Sequence, residues 1–256
     1  MSVFSNINHA NALVTGASGG IGLEFVKQLL QDSKIAQIYA TYRCQESASE
    51  LIAIAEDYSN RLICHPMDVI EEAQIADVVA KMQSAIDKLH LAINCVGFLH
   101  EGKIHPEKGL RQVESESLLR YFQVNSIGGV LLAKHLLPLF RHSDRSVFAS
   151  ISAKIGSIGD NYLGGWYGYR ASKAALNMLM RTVSIEYERK SPQTIVVTLH
   201  PGTTDTRLSK PFQRHIPAEE LFSVERTVNQ LLSIIQNLEV SDSGQFFHWD
   251  GRRLPW

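Results

Sequence analysis

The chain has 256 residues, of which 45% are hydrophobic and 20% charged, and its formal net charge is −1. These values are typical of one large globular domain and give no electrostatic reason to expect nucleic acid or a membrane surface as a partner. No apolar run approaches the roughly 18 residues of a membrane span, and the N-terminus lacks the pattern of a secretory signal. The three cysteines, Cys44, Cys64 and Cys95, are widely spaced, which indicates reduced thiols and a cytoplasmic address.

The first strand and helix patterns enclose a glycine-rich stretch. Residues 10–15 form a short apolar run, residues 16–22 contain four glycines, and helical apolar spacing follows. Because glycines let a backbone approach a pyrophosphate and a helix N-terminus offers free N–H groups, the stretch predicts a phosphate site. Its Gly-x-x-x-Gly-x-Gly spacing differs from the commonest dinucleotide fingerprint, and the alternative is a plain glycine-rich connection.

The second strand pattern, residues 37–43, ends at Arg43. In a doubly wound sheet this end meets the adenosine ribose, where an acidic residue binds a 2′-hydroxyl and an arginine suits a 2′-phosphate. Arg43 therefore favours NADPH over NADH, and the alternative is a solvent-exposed arginine at a strand end. Asp68, just after the third strand pattern, either holds the adenine amine or caps the helix that opens at Glu71.

The alternation of strand and helix patterns continues to the end of the chain. Further strands are predicted at 61–67, 89–95, 146–151, 194–199 and 244–250, with helices over 47–58, 71–86, 115–141, 165–190 and 224–238. Such alternation predicts parallel strands with right-handed crossovers. We therefore expect an α/β fold: one Rossmann-type domain over 1–256, a doubly wound parallel sheet of about seven strands with helices on both faces.

Tyr169 and Lys173 stand four residues apart in a helical pattern and so project from one face. A free tyrosine has a pKa of about 10, and a neighbouring ammonium is expected to lower that pKa toward the range of a general acid/base. Tyr167 is a rival without a lysine four residues later. Asn125, inside a long apolar helix pattern, needs polar partners, and its alternative role is to bend the helix or to form a local hydrogen bond.

A metal site is not expected. His100, Glu101 and His105 superficially suggest a zinc motif, but the second histidine is one residue too far to share a helix face with the first.

Five segments then form a recognisable series: TGASGGIG, Asn94–Gly97, serines after the fifth strand, YRASK, and Pro201-Gly202. In this order the chain resembles the short-chain dehydrogenase/reductase family over essentially its whole length. Within that family, GSIGDNYLGGWYGYRASKAALN and the ending HWDGRRLPW resemble the C-factor-like branch, which includes Sniffer-type carbonyl reductases. The resemblance implies a cofactor half over about 1–150 and a catalytic and substrate half over about 151–256.

The resemblance also implies residue roles. Tyr169 would be the general acid/base, Lys173 would lower its pKa and hold the nicotinamide ribose, and Asn125 would anchor a water beside that lysine. The implied cofactor contacts are Gly16, Ser18, Gly20, Ile21 and Gly22 for the diphosphate, Asp68 and Val69 for adenine, Asn94 and Gly97 for the ribose region, and Pro201, Gly202, Thr204 and Thr206 for the nicotinamide end, together with Arg43, Tyr169 and Lys173. The expected cofactor is NADP(H), with NAD(H) as the alternative.

The serine that binds the substrate carbonyl is the point of departure from the family. The family usually carries two adjacent serines before a glycine, and the second is catalytic; here Ala153 stands at that place. Ser152 is the expected donor and Ser157 a nearby substitute, while the alternative is that these serines merely close a loop.

The expected activity is reduction of a small-molecule carbonyl to an alcohol by hydride transfer. The alternatives are a nucleotide-binding regulatory protein of the C-factor type and a structural module with a vestigial site. Loops 98–114 and 203–223, with Tyr162, Trp166 and Phe212, are expected to wall an aromatic pocket. The apolar helices 115–141 and 165–190 predict a homodimer or homotetramer.

Overall fold

A computed structural model describes residues 7–256. The first six residues, which belong to the predicted domain and to the stretch tested for a secretory signal, lie outside this range. The strands are β1 Ala10–Thr15, β2 Ile35–Tyr42, β3 Leu62–Pro66, β4 Leu91–Asn94, β5 Ser146–Ile151, β6 Thr194–His200, β7 Thr203–Thr204, β8 Leu221–Phe222 and β9 Phe246–His248. The α-helices are α1 Gly20–Gln31, α2 Ser49–Asp57, α3 Glu72–Ala85, α4 Ser115–Phe122, α5 Gly128–Phe140, α6 Tyr167–Lys190 and α7 Val224–Asn237.

The main sheet has seven strands in the order β3-β2-β1-β4-β5-β6-β9, and all neighbouring strands are parallel. The chain order reverses between β1 and β4, which places a crevice at their carboxyl ends. Every residue of β5 is buried, because helices cover both faces of a parallel sheet. The predicted doubly wound α/β fold is confirmed, and β7 and β8 form a separate parallel pair.

Two hydrophobic layers hold the helices to the sheet. One lies under α1 and α7 and includes Phe25, Leu29 and Leu231. The other lies under α3, α5 and α6 and includes Met82, Leu136 and Met180. The two faces of the sheet are thus both closed by apolar side chains, and only the ends of the strands reach polar loops.

The long helical pattern over 115–141 is not one continuous α-helix. A π-helical turn, Gln123–Ile127, separates α4 from α5. Asn125 lies in this turn and Gly128 follows it, where a Cβ atom would come within 2.8 Å of the Val69 side chain. The break between α4 and α5 thus lies where single residues make close tertiary contacts. The apolar periodicity of the sequence does not predict such a break.

The ends of the predicted elements shift by a few residues. Strand β2 begins at Ile35, two residues before its pattern, and β9 is only three residues long. Among residues 7–256, no helix combines the length and the apolar character that crossing a bilayer requires. Cys44, Cys64 and Cys95 are free thiols.

Candidate active site

The glycine-rich stretch forms a tight turn between β1 and α1. Gly16 has φ +69°, and a Cβ atom on Gly22 would lie 2.3 Å from the main-chain oxygen of Gly16, so only glycine fits there. Helix α1 begins at Gly20 without a side-chain cap. Its first N–H groups therefore remain available to an anion. The structure brings together in this one turn the predicted diphosphate residues Gly16, Ser18, Gly20, Ile21 and Gly22.

The segment after β6 lies against this turn. A Cβ atom on Gly20 would be 3.2 Å from Cγ2 of Thr206. Gly202, which follows the buried Pro201, has φ +76° and packs under Phe222. The hydroxyl of Thr204 is buried and 2.9 Å from that of Thr227 on α7, so this side chain faces α7. Thr206 is thus the member of this predicted group that demonstrably meets the phosphate turn.

Arg43 lies at the end of β2, as predicted, but it is not isolated. Its guanidinium donates to Glu101 at 2.9 Å, and the two side chains are 52% and 55% exposed. Because exposed ion pairs contribute little free energy, breaking the contact between Arg43 and Glu101 would cost little.

Asp68 does not cap a helix. Its Oδ1 accepts the N–H of Ile70 at 3.2 Å, whereas α3 begins only at Glu72 and has no side-chain cap. The predicted capping alternative is therefore wrong. The neighbouring Val69 packs against Gly128 at the start of α5.

The end of β4 connects the first strand to the lysine of α6. Oδ1 of Asn94 accepts from the hydroxyl of Thr15 at 2.9 Å and from the N–H of Val96 at 3.2 Å. A Cβ atom on Gly97 would lie 3.9 Å from Nζ of Lys173. The turn after β4 is thus fixed to β1 and lies beside the predicted catalytic lysine.

Tyr169 and Lys173 are both buried on the first turns of α6, with 7% and 2% exposure. Nζ of Lys173 lies 5.8 Å from the ring centroid of Tyr169 and donates to the main-chain oxygen of Ile151 at 2.9 Å. Burial lowers the pKa of Lys173 to about 8. The rival Tyr167 is 38% exposed.

Burial also raises the pKa of the Tyr169 phenol above its ordinary value. This is opposite to the fall that a neighbouring ammonium was expected to cause. Removal of water from around the ring disfavours the phenolate, and the ammonium is directed at Ile151. The phenol is therefore held in its protonated form.

Asn125 joins the π-helical turn to two parts of the site. Its Oδ1 accepts the N–H of Phe98 at 2.7 Å, and its Nδ2 donates to the main-chain oxygen of Phe98 at 2.9 Å. Nδ2 also donates to Oγ of Ser172 at 3.0 Å, one residue before Lys173. The side-chain amide is thus fully engaged with protein groups.

The two candidate serines are both buried, with 3% exposure for Ser152 and 2% for Ser157. Oγ of Ser152 donates to Oδ1 of Asn177 on α6 at 2.7 Å. Oγ of Ser157 accepts the N–H of Asp160 at 3.2 Å. Ala153 between them is half-buried against the second hydrophobic layer.

Aromatic rings from three segments meet beside Tyr169. The Trp166 ring lies 6.2 Å from that of Tyr169 and 4.9 Å from that of Phe212. The His100 ring lies 5.7 Å from that of Phe212. In the sequence, His100 is notable only as part of a zinc-like motif that its spacing excludes. Tyr162 is 87% exposed and does not join this group, contrary to the prediction.

Leu208 also reaches the site, with Cδ1 3.7 Å from the Cβ position of Gly97. Neither Leu208 nor His100 was predicted as a pocket residue. The available signal was their position within the two loops expected to wall the pocket.

One group of possible metal ligands occurs among the described residues, at the opposite end of the sheet: His90, His142 and Asp144. Nδ1 of His90 accepts the N–H of Asn11 at 3.1 Å, and Nε2 of His142 bonds to the main-chain oxygen of Leu89 at 2.9 Å. Lys88 pairs with Asp144 at 2.7 Å. These contacts give the group a structural role between β1, β4 and β5.

Comparison with known proteins agrees with this geometry. The profile of the short chain dehydrogenase family matches residues 10–217. NADPH-bound carbonyl reductase from chicken fatty liver is 29% identical with a TM-score of 0.87, and the match covers 98% of this chain and 96% of that one. Carbonyl reductase Sniffer of D. melanogaster is 26% identical with a TM-score of 0.85, over 98% and 100% of the two chains.

Among sequence relatives, C-signal of Myxococcus xanthus is 32% identical over 147 residues, which are 57% of this chain and 83% of that one. The family profile spans most of the chain, and both structural matches extend over nearly all of it. The chain belongs to the short-chain dehydrogenase/reductase family of oxidoreductases and resembles its Sniffer-like carbonyl reductases.

Proposed function

We propose that this protein is an NADP(H)-dependent reductase that converts a small carbonyl compound to an alcohol. The observation that carries the proposal is the buried pair of Tyr169 and Lys173. The pair lies beside Gly97 and next to the aromatic rings of Trp166 and Phe212. A buried phenol and a buried ammonium on one helix are costly for stability and suited to proton transfer.

The residues present fit a nicotinamide dinucleotide. The uncapped N-terminus of α1 and the close glycine turn suit a diphosphate, and Arg43 suits a 2′-phosphate. When bound, NADPH would supply hydride to the carbonyl carbon. We assign Asp68 and Val69 to the adenine, Asn94, Gly97 and Lys173 to the ribose region, and Pro201, Gly202, Thr206 and the main chain of Thr204 to the nicotinamide end.

Tyr169 would donate the proton that the carbonyl oxygen needs as negative charge develops there. Its raised pKa keeps the phenol protonated, which is the form required for reduction. Lys173, with its pKa lowered to about 8, would exchange protons close to neutral pH and hold the ribose. Asn125, whose side chain bonds to Ser172 on α6, would keep the π-helical turn against α6 and anchor a water that links Lys173 to solvent.

Ser152 remains the proposed hydrogen-bond donor to the substrate carbonyl. For this role its hydroxyl would have to turn away from Asn177, whereas the hydroxyl hydrogen of Ser157 is not needed by its bond to Asp160. Ser157 is therefore the direct rival. The aromatic wall of Trp166, Phe212 and His100 favours a medium-sized ketone, aldehyde or quinone as substrate.

A second candidate function is a nucleotide-binding regulatory protein of the C-factor type. Two observations favour it: the similarity to C-signal, and Ala153 at the place where the family carries its catalytic serine. Such a protein would bind the dinucleotide without needing Tyr169.

The first experiment is parallel titration of the protein with NADPH and NADH, followed by assays of NADPH oxidation with a panel of ketones, aldehydes and quinones. We expect NADPH to bind at least tenfold more tightly than NADH, because Arg43 would pair with the 2′-phosphate. Arg43→Ala should remove this preference and leave NADH binding unchanged, whereas Arg189→Ala, an exposed change at the far end of α6, should alter neither.

Equal binding of both dinucleotides would show that Arg43 is only a surface residue. Binding of neither would overturn the proposed function and favour a vestigial site. Tight NADPH binding without turnover on any carbonyl would favour the regulatory candidate.

We also infer a homo-oligomer and a cytoplasmic address. Leu119 on α4 and Met178 and Ile185 on α6 are 61%, 67% and 38% exposed, and these adjacent helices could be covered by a second copy. Sedimentation as a monomer at micromolar concentration would contradict the oligomer. The three free thiols support the cytoplasmic location. Cell fractionation tests this inference.

A further inference from the structure

Glu107, in the loop between β4 and α4, has a buried carboxylate that the proposed mechanism does not use. It is 2% exposed, and of the Asp, Glu, Lys and Arg side chains among residues 7–256 only Glu107 and Lys173 are buried. Removing a carboxylate from water is costly unless protein groups replace the water. Lys173 belongs to α6 and Glu107 packs against the start of this helix, which suggests that Glu107 also serves the site.

Glu107 binds the start of α6 at two points. Its Oε2 accepts the N–H of Gly168 at 3.1 Å, and its main-chain oxygen accepts the N–H of Trp166 at 2.6 Å. Trp166 is the residue before the helix, and its own side chain does not cap it. A carboxylate distant in sequence thus takes the place of the usual N-cap and lies favourably at the positive end of the helix dipole.

The backbone held in this way is strained. Trp166 has φ +54° and is the one non-glycine residue with positive φ among the described residues; it follows Gly164 and Gly165, which also have positive φ. A bulky residue keeps such a conformation only where its surroundings impose it. The hydrogen bond from Trp166 to Glu107 is one such restraint.

Tyr121 packs on the same turn, next to the Glu107 carboxylate. A Cβ atom on Gly168 would lie 2.3 Å from the ring of Tyr121, so the helix start and this ring are in close contact. The residues placed by this turn are Trp166, whose indole forms the aromatic wall, and Tyr169, the proposed proton donor. A small shift of the turn would move both relative to a substrate carbonyl.

We propose that Glu107 is a positioning residue: by accepting the N–H groups of Trp166 and Gly168 it fixes the first turn of α6, and with it the direction of the Tyr169 phenol and the Trp166 indole. This inference rests on the proposed function. Misplacement of a catalytic group by about 1 Å can lower a rate ~100-fold. The contribution of Glu107 is therefore geometric, and it depends on the reach of its accepting oxygen.

Three substitutions separate geometry from charge. Glu107→Gln keeps an oxygen at the position that accepts from Gly168 and removes the charge. Glu107→Asp keeps the charge but shortens the side chain by one methylene, so the carboxylate no longer reaches Gly168. Glu107→Ala removes the accepting side-chain oxygen and the charge, and all three substitutions keep the main-chain oxygen that accepts from Trp166. Glu114→Gln is a matched control in the same connection because Glu114 is exposed.

The test measures kcat and KM with NADPH and benzil, an aromatic diketone, the Kd for NADPH, and amide hydrogen exchange of the peptide covering residues 166–172. For Glu107→Asp and Glu107→Ala we expect kcat to fall at least tenfold, the Kd for NADPH to stay within twofold, and exchange in this peptide to accelerate. For Glu107→Gln we expect kcat within threefold of the parent protein and unchanged exchange. The Glu114→Gln variant should match the parent protein throughout.

A role limited to stability would lower the unfolding temperature of Glu107→Ala but leave kcat of the folded protein within threefold, and this result would overturn the proposal. Activity retained in Glu107→Asp and lost in Glu107→Gln would also overturn it, because charge would then be the decisive property. If the parent protein binds NADPH but reduces no carbonyl, the proposed function fails. Hydrogen exchange then still decides whether Glu107 fixes the start of α6.

Discussion

Strands β5 and β6 carry a serine–threonine pair near each end, and the two pairs have different surroundings. Near the amino ends, Ser146 and Thr194 are neighbours in the strand register, and their hydroxyls are 2.9 Å apart. Thr194 also bonds to Ser191 at 2.8 Å. Near the carboxyl ends, Ser150 and Thr198 are again register neighbours, yet their hydroxyls are buried without a hydrogen-bond partner among the described residues.

The same contrast extends to the residues around each pair. Nδ2 of Asn177, beside Ser152, is also buried without a partner in the described part of the chain, and Ser150 precedes Ile151, whose oxygen binds Lys173. Buried polar groups in folded proteins are normally satisfied. The Ser146 and Thr194 hydroxyls at the amino ends thus bond to each other, whereas the Ser150 and Thr198 hydroxyls at the carboxyl ends have no protein partner among the described residues.

The largest effect expected at the carboxyl ends is that of Tyr169→Phe. Loss of the phenolic proton donor should lower kcat for carbonyl reduction about 10³-fold, while the Kd for NADPH stays within twofold because the phosphate turn is untouched. Steady-state assays and fluorescence titration give these values. Tyr167→Phe, on an exposed neighbour, is the control, and full turnover by Tyr169→Phe would refute the assignment.

Lys173→Met should lower turnover and at the same time stabilise the fold. Burial lowers the pKa of Lys173 from 10.5 to about 8. At neutral pH, protonation of Lys173 therefore stabilises the unfolded chain more than the folded protein. Relief of this penalty is worth about 3 kcal/mol in the free energy of unfolding at pH 7.

The penalty is fully present below pH 8 and disappears as pH rises to 10.5, where both states of the chain are neutral. The stability gain of Lys173→Met in urea unfolding should therefore shrink between these two pH values. Lys190→Met, at an exposed lysine paired with Glu186, is the control and should not stabilise the fold. A destabilised Lys173→Met variant would mean that the contact with Ile151 outweighs burial of the charge.

Substitutions of the serines should have smaller effects. Ser152→Ala is expected to lower kcat at least tenfold and Ser157→Ala to leave it nearly unchanged, because Ser152 is the proposed donor to the carbonyl. The reverse result would transfer the role to Ser157. Ala153→Ser should raise kcat if neither serine is well placed, since it restores a hydroxyl where the family carries one.

The smallest expected effects are changes in the free energy of unfolding, and they compare the two ends of β5 directly. Ser146→Ala removes a buried hydrogen bond and should lower the free energy of unfolding by about 1 kcal/mol. Ser150→Ala removes a hydroxyl without a protein partner and should cost less than about 0.5 kcal/mol. If urea unfolding shows equal losses of free energy for the two variants, the hydrogen bonding of Ser146 and of Ser150 does not differ.

The sequence was sufficient for the fold because its signals were local and repeated. Each strand pattern was followed by a helix pattern, and the glycine turn at 16–22 marked the first crossover. Tyr169 and Lys173 were found for the same reason, since four residues of spacing on a helix define a face.

The remaining features depend on contacts between distant residues. The π-helical turn contains Asn125, whose side chain bonds to Phe98 and Ser172. The apolar periodicity of the helix does not predict these hydrogen bonds. The raised pKa of Tyr169 results from burial by several segments. Glu107 was missed because a glutamate in a polar loop looks like a surface residue until the loop is seen folded against α6.

The start of α6 also differs from the phosphate turn in the order in which each can form. Glu107 and Gly168 are 61 residues apart in the chain, whereas the close contact of the phosphate turn joins Gly16 and Gly22. Contacts between near neighbours close with less loss of chain entropy and form earlier in folding. We therefore expect the phosphate turn of a refolding chain to form before the start of α6 is fixed by Glu107.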